Sequence, residues 1–185
     1  MFSKFIPAIL RKKIYQQVRE KIKEGHRAIE LSLPKTQIPE FSIKSTKLLT
    51  NRHSLLEKLP KNGVVAELGV DQGFFSEEIL KVNSPEILHL VDIWDSERYD
   101  QKKKIEVETK FSKNISSGQV KIHLGLSTNV VHEFPGNYFD WVYIDTDHRY
   151  ETTKSELELW SKKLKSGGIL AGHDYIQCNW NGLVK

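Results

Sequence analysis

Two short runs carry most of the reactive side chains in this chain: Asp145-Thr146-Asp147-His148 and Gly172-His173-Asp174. Carboxylates and imidazoles can hold a divalent cation, and they can also take up a proton near neutral pH. Each run follows an apolar stretch that reads as a buried strand, Trp141-Val142-Tyr143-Ile144 and Ile169-Leu170-Ala171. Between them, Thr152 to Leu164 has a helical pattern, with Leu157, Trp160 and Leu164 on one face and Gly167-Gly168 at its end. A strand–helix–strand crossover is right-handed and makes the two strands parallel, so both runs leave the sheet at its carboxyl edge. Open α/β sheets bind their ligands at that edge. The chemistry expected there is a divalent metal, a general base, or both.

Upstream, Val64-Val65-Ala66-Glu67-Leu68-Gly69 reads as a first buried strand that runs into Gly69-Val70-Asp71-Gln72-Gly73 and then a helix from Phe74 to Val82. Glycines at such a bend let a ligand approach the backbone, and the helix start offers unpaired N–H groups. The spacing lacks the three glycines that dinucleotide sites use for a pyrophosphate. Glu67 would repel a phosphate and suits a cationic or amine-bearing ligand. A second strand, Ile87 to Asp92, ends in an acid placed to accept bonds from ribose hydroxyls or to cap a helix. A helix over Lys102–Ile115 follows, then a third strand, Val120 to Leu124. Gly125-Leu126-Ser127 ends it, with Ser127 either capping the next helix or reaching a base edge. Five such alternations with near-continuous apolar strands predict an α/β fold: a Rossmann-like, doubly wound parallel sheet covered on both faces.

The positioning body is preceded by something different. Residues 1–50 carry a net charge of +7 and residues 51–185 one of −3, within +4 overall. A basic arm on an acidic body argues against nucleic acid as the partner and for a small molecule. In the arm, Ile6, Leu10, Ile14, Val18 and Ile22 recur every fourth residue, predicting an amphipathic helix from about Pro7 to Ala28. Such a helix packs on the body, dimerises, or lies on an anionic membrane as a peripheral contact. A proline-punctuated linker, residues 33–39, and a short helical pattern over Thr46–Leu59 lead into the body. The expected domains are therefore 1–45, arm and linker, and 46–185. Cys178 is the single cysteine, which excludes an internal disulfide framework. With no signal-peptide pattern or spanning apolar run, the expected location is cytoplasmic.

These motifs together resemble the class I S-adenosylmethionine-dependent methyltransferases. The chain is most similar to the small bacterial family of macrolide and sugar O-methyltransferases (methyltransferase family 24-like), with kinship to catechol-type enzymes. The resemblance covers about residues 46–182. It rests on Glu67-Leu68-Gly69-Val70 with Gly73, Phe75 and Ser76, on Leu88-His89-Leu90-Val91-Asp92, and on Gly125-Leu126-Ser127. Ile144-Asp145-x-Asp147-His148-x-Tyr150-Glu151 and Gly167-Gly168 with Gly172-His173-Asp174-Tyr175 complete it. It implies that S-adenosyl-L-methionine is bound by Glu67, Gly69 and Gly73 at its amino-acid end, by Asp92 at the ribose, and by Ile93 and Ser127 on the adenine side. It also implies a divalent cation, Mg2+ or another, on Asp145 and Asp174 with His173, and a base at Asp147 or His148. Asp147 matches the base position of the relatives. Magnesium prefers oxygen donors, so His173 would shift the preference toward a transition metal.

The expected activity is metal-assisted methyl transfer to a hydroxyl of a small molecule, such as a sugar or glycosylated metabolite. Relatives continue past the fifth strand into a helix and a final antiparallel strand pair, which is expected to be missing here. That leaves two rivals: a catalytically silent, truncated binding module, and a nucleotide-dependent oxidoreductase.

Overall fold

The structure, a computed structural model, describes residues 8–32, 38–96, 99–173, 179–180 and 183–184. Contacts divide the chain into two units, residues 1–45 with 175–185 and residues 46–174.

The first unit holds the long helix α1 (Ala8–Ser32) and the single turn α2 (Glu40–Ile43). α1 runs four residues beyond the expected end at Ala28 because no proline or capping glycine intervenes before Pro34.

The second unit opens with α3 (Arg52–Leu56), where the Asn51 side chain accepts the Ser54 N–H at 2.9 Å and so caps the helix. The wider helix expected over Thr46–Leu59 does not form. Leu48, counted in its apolar pattern, is fully exposed outside any helix. After α3 come β1 (Val64–Leu68), α4 (Phe74–Asn83), β2 (Ile87–Asp92), α5 (Gln101–Lys110) and α6 (Ser112–Ser116). The helix expected over Lys102–Ile115 is split at Phe111, which leaves the helical backbone to bury its ring against Gly73. Then follow β3 (Val120–Leu124), α7 (Ser127–Val130), β4 (Phe139–Ile144), α8 (Tyr150–Trp160) and β5 (Leu164–Gly172). α8 ends at Trp160 rather than at Gly167-Gly168. Those glycines lie inside β5, where its pairing with β4 is irregular, and Gly167 takes φ +76° there.

The five strands form one parallel sheet in the order β3-β2-β1-β4-β5. Its strand order reverses between β1 and β4, so the crevice expected to take a ligand lies beyond the ends of those two strands. Alternate residues feed two cores. Val65, Leu88, Leu90, Trp141 and Tyr143 pack with Leu56, Phe75, Ile79, Val107 and Phe111. Ala66, Leu68, Val91, Val142 and Ile144 face Val130, Val131, Phe134 and Trp160 on the other side. Each large apolar side chain so buried is worth about 1.5–3 kcal/mol, which is what fixes the strand ends and the loops they carry. All five strands of this sheet are parallel. The only antiparallel pair among the described residues is β6 (Asn179–Trp180) with β7 (Leu183–Val184), which belongs to the first unit.

Candidate functional site

Backbone bonds continue one residue past four of the strand ends. Gly69 N–H donates to Val91 O at 2.9 Å, Asp145 N–H to Leu68 O at 2.8 Å, His173 N–H to Ile144 O at 3.0 Å and Gly125 N–H to Asp92 O at 3.0 Å. The sheet itself therefore sets where Gly69, Asp145, His173 and Gly125 emerge, and it brings Asp145 and His173 to one edge. The approach of the β1 and β4 loops is tight. A Cβ on Gly69 would lie 2.0 Å from the Asp145 carbonyl oxygen, and Gly69 has φ +85°.

Asp92 organises the loop after β1. Its carboxylate accepts the N–H groups of Val70 at 2.7 Å and Asp71 at 3.0 Å on one oxygen, and that of Trp94 at 3.0 Å on the other. Asp71, φ 53°, and Trp94, φ 40°, both take the left-handed backbone that costs a non-glycine residue stability. Their strain is held by Asp92 and by the Trp94 indole, which donates to Asp71 O at 3.0 Å. Trp94 is fully buried, so it packs and does not line an open pocket. Ile93 beside it is 39% exposed, an apolar surface at the same edge as Asp92.

Ser127 starts α7, and its hydroxyl donates to Glu156. Thr146 donates to the other Glu156 oxygen at 2.8 Å. Glu156 is completely buried, and burial raises its pKa against the lowering effect of the two hydroxyls. It ties the loops after β3 and β4 to α8. Sequence reasoning missed it by assigning the buried face to Leu157, which is 46% exposed. The usable signal was the i, i+4 spacing of Glu156 and Trp160, both fully buried.

The densest charge lies between β1 and β4. Glu67 pairs in register with Tyr143, and its buried carboxyl accepts the Ser76 hydroxyl. Burial pushes Glu67 up to about 8, with Asp145 and Asp92 adding to the rise, so near neutrality it is mostly a neutral acid. Tyr143, pushed up to about 12 chiefly by burial, has a buried hydroxyl without a well-formed hydrogen bond among the described residues. A second residue that sequence reasoning did not identify is Arg52 of α3. Its guanidinium lies 3.4 Å from Asp145 Oδ2 and 4.9 Å over the Phe75 ring. It also acts electrostatically on both Glu67 and Tyr143. No spacing in the polar run Asn51-Arg52-His53 marks it out.

His148 Nε2 stands 3.4 Å from Asp145 Oδ1, and His173 Nδ1 stands 3.8 Å from the same oxygen. His148 has φ 59°, another left-handed residue at this edge. Asp147 is turned elsewhere. It accepts the Arg149 N–H at 3.0 Å and the Thr152 hydroxyl at 3.1 Å, fixing the start of α8. Of the expected metal ligands, Asp145 and His173 come together, and Asp174 lies outside the described residues. Among the described residues no three His, Cys, Asp or Glu side chains converge on a metal position, and Arg52 pairs with the Asp145 carboxylate.

A sequence-family model described as a methyltransferase domain matches residues 66–175. This chain belongs to that family, the class I S-adenosylmethionine-dependent methyltransferases. No curated protein matches it. Among solved structures it is similar to an rRNA methylase from Streptococcus thermophilus, with TM-score 0.50 and 13% identity over 75% of this chain and 71% of that one. It is also similar to precorrin-6y C5,15-methyltransferase from Geobacter metallireducens, with TM-score 0.50 and 14% identity over 68% of this chain and 63% of the other. A third, the [4+2]-cyclase SpnF, has TM-score 0.51 and 16% identity over 65% of this chain and 43% of its own. At these identities the likeness is one of fold: the Rossmann-like methyltransferase sheet.

Proposed function

We propose that the protein transfers a methyl group from S-adenosylmethionine to a hydroxyl of a small molecule, such as a sugar or glycosylated metabolite, with His148 as the base. The observation that carries this reading is the charged cluster around the β1–β4 switch. It offers an acid, Asp145, to an ammonium and a cation, Arg52, to a carboxylate, with the neutral Glu67 carboxyl buried beneath them. The two ends of the donor's methionine part need that pairing. The Tyr143 hydroxyl, buried beside Arg52, adds a polar atom that a ligand could also bond. Asp92 keeps lone pairs for ribose hydroxyls beyond its three backbone bonds, and Ile93 gives the adenine an apolar contact.

When bound, the donor supplies an electrophilic methyl carbon. The acceptor's O–C bond forms in line as the C–S bond breaks, and S-adenosylhomocysteine leaves. The chain's own work is to hold and to deprotonate. The imidazole of His148 stands against the Asp145 carboxylate, which would stabilise the positive charge the ring gains on taking the acceptor's proton. Asp147 is the weaker choice, because its two oxygens already hold the start of α8. A divalent cation would use Asp145 and His173 and would need Asp174 to complete it; the steps above are assigned to protein groups. The net −3 of residues 51–185 supports a small acceptor over RNA.

With methyl-tritiated donor and a panel of monosaccharide and glycoside acceptors, His148→Ala should lower turnover about 100-fold or more. S-adenosylhomocysteine affinity should stay within about threefold. Asp147→Asn should cost turnover less, and should lower the melting temperature through α8. Full turnover by His148→Ala would remove the base assignment, and no methylated product from any hydroxyl in the panel would remove the acceptor class.

A further inference from the structure

We infer that α1 is a membrane-surface helix that lies on anionic lipid headgroups. Leu10, Ile14, Val18 and Ile22 form one stripe along its length, and each is 43–50% exposed. The β7 strand of the same unit touches α1, yet these four side chains remain half in water. Repeats of four residues on a helix advance slowly around the axis, so the stripe is a continuous apolar face rather than scattered positions.

Charge decides what covers that face. Arg11, Lys12, Lys13, Arg19, Lys23 and Arg27 are all exposed along the same helix. Glu20 is paired with Lys23 at 2.7 Å, leaving Glu24 and Glu30 as the other acids. A second copy of this helix would bring the same cations together around the stripe and repel. An anionic bilayer surface accepts the stripe and neutralises its flanks together. Arg11 and Lys21 fall within the arc that the stripe sweeps, each about 90° from the stripe at its own height, where long side chains reach outward to headgroups. No described helix is long and apolar enough to cross a membrane, so α1 lies along the surface.

Co-sedimentation of the full chain with phosphatidylcholine vesicles, with and without phosphatidylglycerol, tests this. Binding should require phosphatidylglycerol and weaken with salt. Lys12→Ala and Lys13→Ala should each reduce partitioning on the order of fivefold. Val18→Glu/Ile22→Glu should abolish it while the melting temperature of the body is unchanged. No vesicle binding, or equal binding to neutral vesicles, would overturn the inference. So would a wild-type dimer that Val18→Glu/Ile22→Glu converts to monomer without any vesicle binding, since the stripe would then be a protein interface. None of these readouts uses methyl transfer, so failure here and failure of the proposed activity are separately visible.

Discussion

Glu67→Gln should make the protein more stable than wild type at alkaline pH, by about 3 kcal/mol or more at pH 9. The folded carboxyl titrates at about 8, raised from an ordinary 4.5 mainly by complete burial. The folded state thus holds a proton that the unfolded chain releases. Stability from that proton is fully present below pH 4.5 and is lost progressively as pH rises through 8. A shift of this size bounds the loss at roughly 5 kcal/mol, at 1.36 kcal/mol per pH unit. Glutamine keeps the neutral shape and can still accept the Ser76 hydroxyl, but it does not titrate. Urea denaturation at pH 5 and pH 9 reads the difference. The variant's advantage should grow across that window, and parallel profiles would show that Glu67 is ionised in the fold.

Gly69→Ala is expected to be the most damaging small substitution in the body. The added methyl would stand 2.0 Å from the Asp145 carbonyl oxygen, and that neighbour is backbone, unable to swing aside. The φ of +85° adds its own strain for any residue with a Cβ. Separating the loops would break the Asp145 N–H bond to Leu68 and displace Asp145, on which Arg52, His148 and His173 converge. Destabilisation above about 4 kcal/mol, or a folded protein without S-adenosylhomocysteine binding, is the expected outcome. Near-wild-type melting and binding would mean that the β1 and β4 loops are not in contact as described.

The sheet was legible because its strands are short apolar runs that end in acids and glycines, and period and punctuation both survive in a single sequence. Asp145 and His173 could be placed at one edge from the crossover rule alone. What failed was local and had a physical cause in each instance. Phe111 breaks a good helical pattern because burying a ring against Gly73 outweighs one more helical turn. Gly167 and Gly168 looked like a helix terminus and instead serve an irregular strand pairing. Glu156 was passed over because a carboxylate on a buried face is unexpected until its two hydroxyl partners, Ser127 and Thr146, are seen. Arg52 was invisible because its role depends on reaching Asp145, 93 residues away, and no spacing rule encodes that. Asp147 and His148 were both named, but only their contacts separate a helix-fixing carboxylate from an imidazole paired with Asp145.

Calorimetric titration with S-adenosylhomocysteine measures the proposed methyl-donor pocket at the β1–β4 switch directly. Saturable binding with one site per chain is expected, weakened at least tenfold for 5′-methylthioadenosine, which lacks the amino-acid part that Arg52 and Asp145 would hold. A folded sample giving no saturable heat with S-adenosylhomocysteine would contradict a methyl-donor pocket at this switch.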